Sequence, residues 1–456
     1  MSKYVSINPA TGQQTGTWDC LPTADLRSVL RTAESAFATW RGTGFDERAR
    51  LLRRVAALLR EQKTEHGRLM AEEMGKPIRA GESEAEKCAW ACDYYAEHAE
   101  RFLADESADT DASRSYVAYR PLGPVLAVMP WNFPYWQVIR FAAPALMAGN
   151  TVLLKHAANV PGCGQRLERL FTEAGFPEGC FRNLFVTNRQ VGTLIRSGTV
   201  RAVTLTGSTR AGKAVARQAG AALKKTVLEL GGSDPYVVLE DADLDAAART
   251  CVHSRLINSG QSCIAAKRFV VVDAVRDAFT EAVVEHMRAA RMGDPLDGDT
   301  DVGPQAREDL RDDLHDQVRR SVEKGARCLL GGEVPEGPGW FYPPTVLADV
   351  KRGMPAFREE LFGPVASILP ARDRKHAIRI ANATSFGLGA AVFTGDVEEG
   401  ERIARDELEA GSCFVNAFVR SDPRLPFGGI KDSGYGRELG RQGILEFVNA
   451  TTVWVA

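Results

Sequence analysis

No apolar run in this 456-residue chain is long enough to cross a bilayer, and the N-terminal stretch through Pro9 lacks the apolar core of a secretory signal. Both absences predict a cytoplasmic protein that uses no membrane. The nine cysteines form no CxxC pair and have no histidine pair beside them, which argues against a zinc site. Cys88 and Cys92 share a helix face at most, and free thiols in a reducing compartment are the expectation. A net charge of −2 with no dense Lys/Arg cluster gives no reason to bind nucleic acid. Internal repeats and low-complexity tracts are missing too. No complete GxGxxG fingerprint exists, since Gly387-Leu388-Gly389 runs on to Val392. Gly207 to Lys213 spells GxxxxGK, but Ala214 stands where a triphosphate loop needs Ser or Thr for Mg2+.

What is present is an ordinary globular composition, 44% hydrophobic and 25% charged, in a chain long enough for two or three domains. The first hundred residues read as helices. Leu51, Leu52, Val55, Leu58 and Leu59 recur at helical spacing among arginines, which predicts an amphipathic helix with a solvated basic face. Further on, short apolar runs such as Thr151–Leu154 and Ala202–Leu205 alternate with helical stretches, the rhythm of a parallel sheet with crossover helices. Helical patterns continue over 273–292 and 307–326. Ser115–Arg120 and Thr451–Val455 alternate as strands and are able to pair.

Three places carry chemistry. Gly260-Gln261-Ser262-Cys263-Ile264-Ala265 sets one thiol among small uncharged neighbours, a context that suits a nucleophile stabilised by nearby helix amides. A buried structural cysteine is the plainer alternative. Val227-Leu228-Glu229-Leu230-Gly231-Gly232 holds a single carboxylate in an apolar run, either a base with a raised pKa or a solvated strand residue. In Pro130-Trp131-Asn132-Phe133-Pro134, Asn132 is either a helix N-cap or an amide donor to an oxyanion.

These three motifs, in the chain order WNFP, LELGG and GQSC, resemble those of the aldehyde dehydrogenase superfamily. The resemblance extends to Met74-Gly75-Lys76-Pro77, Leu205-Thr206-Gly207-Ser208, Glu359-Glu360-Leu361-Phe362-Gly363-Pro364 and Pro426-Phe427-Gly428-Gly429-Ile430-Lys431. Leu154-Lys155-His156-Ala157 and the short N-terminus are most similar to the compact bacterial succinate-semialdehyde dehydrogenases. The resemblance implies an α/β fold: a Rossmann-like cofactor domain (1–102 and 122–231), a catalytic domain (232–432) and a β oligomerisation flap (103–121 and 433–456) of a homodimer or homotetramer. It implies NAD or NADP held by Trp131, Lys155, Gly207, Ser208, Glu360 and Phe362. Strand logic agrees for Lys155 and Ser208, which follow apolar runs at the ends where parallel sheets collect ligands. Ala158 stands where strictly NAD-using relatives often carry a glutamate, so the dinucleotide is left open.

The implied reaction is oxidation of an aldehyde through a Cys263 thioester, with Asn132 on the oxyanion and Glu229 activating water. For the substrate, Arg140 lies eight residues after Asn132, on one stripe of a helix expected to begin near Pro134. Its guanidinium fork suits the far carboxylate of succinate semialdehyde, and the resemblance favours that role. The alternatives for Arg140 are an internal ion pair or a solvent-facing position. Ser262, Ser421, Phe133, Trp136 and Phe418 are the other expected pocket residues, and Arg420 and Arg424 compete with Arg140 as anchors. Glutarate semialdehyde, an uncharged aldehyde, or a catalytically idle binding protein on the same scaffold remain as other readings.

Overall fold

The computed structural model describes residues 2–456 and is built on three sheets besides an N-terminal hairpin. The first sheet runs, in spatial order, Gly434–Tyr435, Lys225–Glu229, Ala202–Thr206, Pro124–Val128, Thr151–Lys155, Phe181–Asn183. All neighbours are parallel except Gly434–Tyr435, which pairs antiparallel with Glu229 and Leu228. From Pro124–Val128 the chain crosses to Thr151–Lys155 on one side and later returns to Ala202–Thr206 on the other. That reversal opens a crevice beyond the strand ends Val128 and Thr206, where such sheets take ligands.

The second sheet runs Arg327–Leu330, Thr345–Ala348, Val365–Ala371, Ala266–Val272, Asp234–Val238, Gly389–Phe393, Ser412–Val415, with only the first pair antiparallel. Its central strands are largely apolar and buried at nearly every position because both faces are covered. Val237, Val270 and Val392 face one core, whereas Tyr236, Val238, Phe269 and Val271 face the other, as the two-residue period of a strand requires. Residues 230–233 alone link Lys225–Glu229 of the first sheet to Asp234–Val238 of the second.

Helices Phe45–Glu61, Lys63–Met74 and Ile78–Phe102 pack on one another and on helices Trp136–Met147 and Pro161–Glu173, which flank the first sheet. Leu51, Leu52, Val55, Leu58 and Leu59 are buried, while Arg50, Arg53 and Arg54 face water. The expected helices of 273–292 and 307–326 are Arg276–Ala289 and Glu308–Glu323. Arg114–Pro121 and Val448–Val455 do pair, antiparallel and in continuous register from Pro121↔Val448 to Arg114↔Val455, with Glu106–Ser107 completing a third sheet.

Three expectations need correction. The chain opens not with helices but with the hairpin Lys3–Ile7 and Gln14–Asp19. The stretch from 433 does not belong wholly to the flap, because Gly434–Tyr435 edges the first sheet and helix Gly440–Leu445 packs on helices Trp136–Met147 and Ile78–Phe102. The helix expected near Pro134 begins at Trp136, so Asn132 lies in the preceding turn, does not cap it, and shares no helical stripe with Arg140.

Candidate functional site

Asn132 and the Cys263 loop meet near residues 230–233, the link between the two largely parallel sheets. Cys263 lies between helix Leu244–Leu256 and strand Ala266–Val272, in a segment reached through Asn258, Ser259 and Gly260 at φ 55°, 56° and 76°. Three successive left-handed residues reverse the chain tightly, and Gly260 meets the backbone of Gly363 so closely that a Cβ would sit 2.2 Å from its carbonyl carbon. This contact seats the Cys263 loop on the Glu359–Pro364 motif. Gln261 fixes it further, its Oε1 accepting from the Ala306 N–H at 2.9 Å.

Asn132 is tied directly to this loop. Its Nδ2 donates to the Gln261 carbonyl at 3.0 Å, and Asn258 Nδ2 donates to the Asn132 carbonyl at 2.7 Å and the Gln261 carbonyl at 3.0 Å. Gln137 Nε2 donates to Asn132 Oδ1 at 3.2 Å, which fixes the amide's orientation and leaves its second N–H available. The turn itself is held by Glu84, whose Oε1 accepts the Tyr135 and Trp136 N–H groups, both at 2.8 Å. Glu84 therefore caps helix Trp136–Met147 from a neighbouring helix and also pairs with buried Lys76.

Cys263 is half-buried and its carbonyl accepts from Lys267 Nζ at 2.8 Å. A Cβ on Gly232 would lie 2.6 Å from that same carbonyl, so the link between the sheets presses on the Cys263 backbone. Burial pushes the thiol up to about 12, against the opposing pull of Lys267 and Arg140. The expected stabilisation by helix amides is absent, because the segment after Cys263 is a strand.

Glu229 ends its strand with the side chain 2% exposed and neither carboxylate oxygen hydrogen-bonded. Burial raises its pKa well above the usual range, the charge of Glu438 adds to this, and Arg140 opposes it. The carboxyl rests against Gly428, where a Cβ would come within 2.6 Å of Oε1. No hydrogen bond joins Glu229 to Cys263. Both feel Arg140, which is the group the two have in common.

Arg140 is not free to hold a substrate carboxylate. It is 2% exposed and ion-paired with Glu438, with Thr206 Oγ1 at 3.4 Å and the Phe427 ring 4.7 Å from the guanidinium carbon. The internal ion pair is the alternative that the structure adopts. Arg424 is taken by Asp422 at 2.6 Å, and Arg420 is exposed beside the Phe418 ring. Ser421 is buried and accepts from Lys87 Nζ at 2.8 Å. Phe133 and Trp136 line a cavity of about 1060 Å³ in which Asn258 also takes part, whereas Phe418 packs on His253 at 5.1 Å and Ser262 is closed off at 2% exposure.

On the cofactor side, Lys155 ends its strand half-buried near Cys20 and the Tyr4 ring, with burial lowering its pKa and no carboxylate in contact. A Cβ at Gly207 would meet nothing closer than 3.7 Å, which leaves room for a ligand at the start of helix Thr209–Ala221. Ser208 caps that helix through Ala211 N–H at 3.3 Å and keeps its own O–H to donate. Glu360 accepts from Gly232 N–H at 3.0 Å and lies 3.5 Å from Lys267. Trp131 and Phe362 stand edge to face at 5.7 Å. A strand-end cation, a roomy glycine and a helix N-terminus at the crevice are a donor set that fits a dinucleotide.

Sequence reasoning missed Glu84, Asn258, Glu438, Lys267 and Lys87. All but Lys267, which donates to Cys263 only four residues away, act across a long stretch of chain, and none sits in a pattern that marks a charged or amide side chain as buried. Among the described residues no group of three His, Cys, Asp or Glu is arranged to hold a metal, and no helix is long and apolar enough to cross a membrane.

The profile of the aldehyde dehydrogenase family matches residues 2–453. A probable NADP+-dependent succinate-semialdehyde dehydrogenase from Synechocystis is 49% identical over 99% of both chains. A succinate semialdehyde dehydrogenase from Escherichia coli, named for NAD(P)+, is 48% identical over 99% of this chain and 97% of its own. The structure of succinic semialdehyde dehydrogenase from Streptococcus pyogenes with NADP+ superposes with a TM-score of 0.97 at 38% identity, covering 99% of each chain.

Proposed function

We infer, since the chain belongs to the aldehyde dehydrogenase family, that it oxidises succinate semialdehyde, or an ω-semialdehyde of similar length, to the carboxylic acid with NAD or NADP. The observation that carries the chemistry is the direct lock between Asn132 and the Cys263 loop, pressed by the glycine pair that follows Glu229. The substrate class rests on the similarity, at 48–49% identity over nearly the whole chain, to enzymes named for this semialdehyde.

In this reading the Cys263 thiol gives up its proton to solvent and its sulfur adds to the aldehyde carbon, giving a thiohemiacetal whose oxygen is held by the Asn132 amide and the Cys263 N–H. Lys155, Gly207, Ser208, Glu360, Phe362 and Trp131 hold the dinucleotide, whose chemical contribution is to accept hydride. Once the acyl group stands on Cys263 as a thioester, Glu229 takes a proton from water, and the hydroxide releases the acid. Glu229 must first be deprotonated, and Arg140 provides the nearby positive charge that favours this. Lys267 braces the Cys263 backbone and does not enter the reaction. The protein acts in the cytoplasm as a homodimer or homotetramer, an assembly supported by the unpaired outer edge of Val448–Val455, where Trp454 is half exposed.

The test is a purified-protein assay with succinate semialdehyde, glutarate semialdehyde and butanal, each with NAD and with NADP. A semialdehyde should give the highest kcat/KM, and a preference for butanal overturns the substrate assignment. Cys263→Ala should abolish turnover. Glu229→Gln should keep a burst of reduced cofactor while steady turnover falls on the order of 10²- to 10⁴-fold. Normal steady turnover would remove Glu229 from deacylation.

A further inference from the structure

The cavity beside Phe133 and Trp136 is walled by helix Ile78–Phe102 and helix Leu244–Leu256, and Asn258 joins it to the Asn132–Gln261 lock. Its lining thus includes a residue bonded to the Gln261 carbonyl, two positions before Cys263. Most cations around it are already matched. Arg249 pairs with Asp245 at 2.7 Å, Arg79 with Asp299 at 3.4 Å, and Arg291 with Asp299 at 3.2 Å. Behind the wall, Lys76 pairs with Glu84 and Arg140 with Glu438.

Lys87 differs from all of these. Its ammonium lies over the Trp136 ring at 4.4 Å and donates to Ser421 Oγ at 2.8 Å, with no carboxylate in contact among the described residues. An ammonium carries three N–H donors, so two are unspent here, and the aromatic face only partly offsets the charge. Ser421 accepts from Lys87 through its oxygen and keeps its O–H to give. Two N–H groups on Lys87, which lines the cavity with Phe133 and Trp136, and one O–H on the adjoining Ser421 are thus left to donate, the donor set a carboxylate requires.

We propose that Lys87, together with the Ser421 hydroxyl, binds the far carboxylate of the semialdehyde, while Phe133 and Trp136 pack its methylenes and Arg140 stays with Glu438. The inference rests on the proposed function and names the specificity-determining cation of that site. Lys87 is a binding residue and has no part in the bond-making steps. A neutral aldehyde of equal length gains nothing from it.

The experiment compares Lys87→Met and Lys87→Gln with the unaltered enzyme, using succinate semialdehyde and butanal, both of four carbons. The ratio of the two kcat/KM values should fall at least tenfold in both variants, with the loss carried by KM for the semialdehyde. Lys87→Gln, which keeps a polar group against Ser421, serves if Lys87→Met does not fold. Inhibition by succinate, read against inhibition by butyrate, should weaken in parallel. An unaltered ratio in a folded variant overturns the assignment, as does an equal loss for both aldehydes. If the unaltered enzyme itself shows no preference for the semialdehyde, the proposed function fails instead, so the two failures are distinguishable.

Discussion

Arg140 and Glu438 form an ion pair with each side chain 3% exposed, and Glu229 lies close enough for the Glu438 charge to raise its pKa. Two carboxyls thus share one guanidinium. Glu438 also has a raised pKa, from burial first, with Arg140 opposing. The direct pair keeps Glu438 charged and leaves the proton on Glu229. Glu438→Gln removes the repelling charge and frees Arg140 toward Glu229, so the Glu229 pKa should drop. Activity that depends on deprotonated Glu229 rises with pH through that pKa. The acid limb of kcat in Glu438→Gln should therefore move to lower pH by about one unit or more. A pH profile of steady turnover checks this, and a shift to higher pH contradicts it.

The same pair makes Arg140 a poor residue with which to test substrate binding. Arg140→Met leaves Glu438 buried without its partner, a loss of about 3–5 kcal/mol of stability. The variant should show a clearly lowered midpoint in urea unfolding, and weakened catalysis in it reports on packing. Arg140→Met combined with Glu438→Leu should recover most of the stability.

Cys263 begins as a thiol, because burial outweighs the pull of Lys267 and Arg140. Alkylation requires thiolate, so the rate of iodoacetamide modification at Cys263 in the free enzyme should climb nearly tenfold per pH unit, without levelling off, from about pH 7 to 10. A plateau below pH 8 would mean that the thiolate is already stable in the resting site. The other thiols are separated from Cys263 by peptide mapping, since Cys328 is exposed and Cys413 only partly covered.

Much of this site is legible in the sequence for a specific steric reason. The glycines of these motifs stand where a Cβ would collide: Gly260 with the Gly363 backbone, Gly232 with the Cys263 carbonyl, and Gly428 with the Glu229 carboxylate. Such contacts tolerate no Cβ, so they leave fixed letters at fixed places. The pairing of Arg114–Pro121 with Val448–Val455 is legible through its two-residue alternation. Arg140 is different. Its partner Glu438 comes from the far end of the chain, and nothing beside Arg437 and Leu439 marks that carboxylate as buried. The opening hairpin escapes notice because Lys3–Ile7 is short and its partner Gln14–Asp19 is mostly polar, while its loop is closed by Asn8 contacts, N–H to Gln13 O at 2.8 Å and Oδ1 from Ala10 N–H at 2.9 Å. Lys87 reads as a surface lysine until Trp136 and Ser421 are brought against it.

Glu84 links stability to the position of Asn132. Its carboxylate caps helix Trp136–Met147 and neutralises Lys76, which is fully buried and has its pKa lowered by that burial. Glu84→Ala should cost about 3–5 kcal/mol by leaving Lys76 unpaired, with a further ~1 kcal/mol for the lost cap. Lys76→Met in the same chain should restore part of this but not the cap. The double variant should therefore fold yet retain a lowered kcat, because the turn that aims the Asn132 amide is no longer held. A double variant with full kcat would show that Glu84 serves stability alone.

The charge on Lys87 gives the site a second, opposite dependence on pH. Burial lowers its pKa to about 8, and Arg140 adds to the shift; Cys88 and Glu84 on its own helix and Asp422 beside Ser421 act the other way. The paired Arg249, together with His253 and His286, faces the same cavity from the opposite helices. Because the folded value lies below that of a free lysine, the ammonium is complete below pH 8 and is lost as the pH rises through it. The KM for succinate semialdehyde should therefore increase above about pH 8. The KM for butanal should not follow, since Cys263, Glu229 and the cofactor are common to both substrates and cancel in the ratio. Stability has its own sign: between about 8 and the ordinary lysine value near 10.4 the unfolded chain binds the extra proton, so the folded state gains stability with rising pH. Lys87→Met should abolish both trends, flattening the ratio of the two kcat/KM values across pH 7 to 9.5 and removing that contribution to unfolding. A ratio that still falls above pH 8 in Lys87→Met would assign the titration to another group.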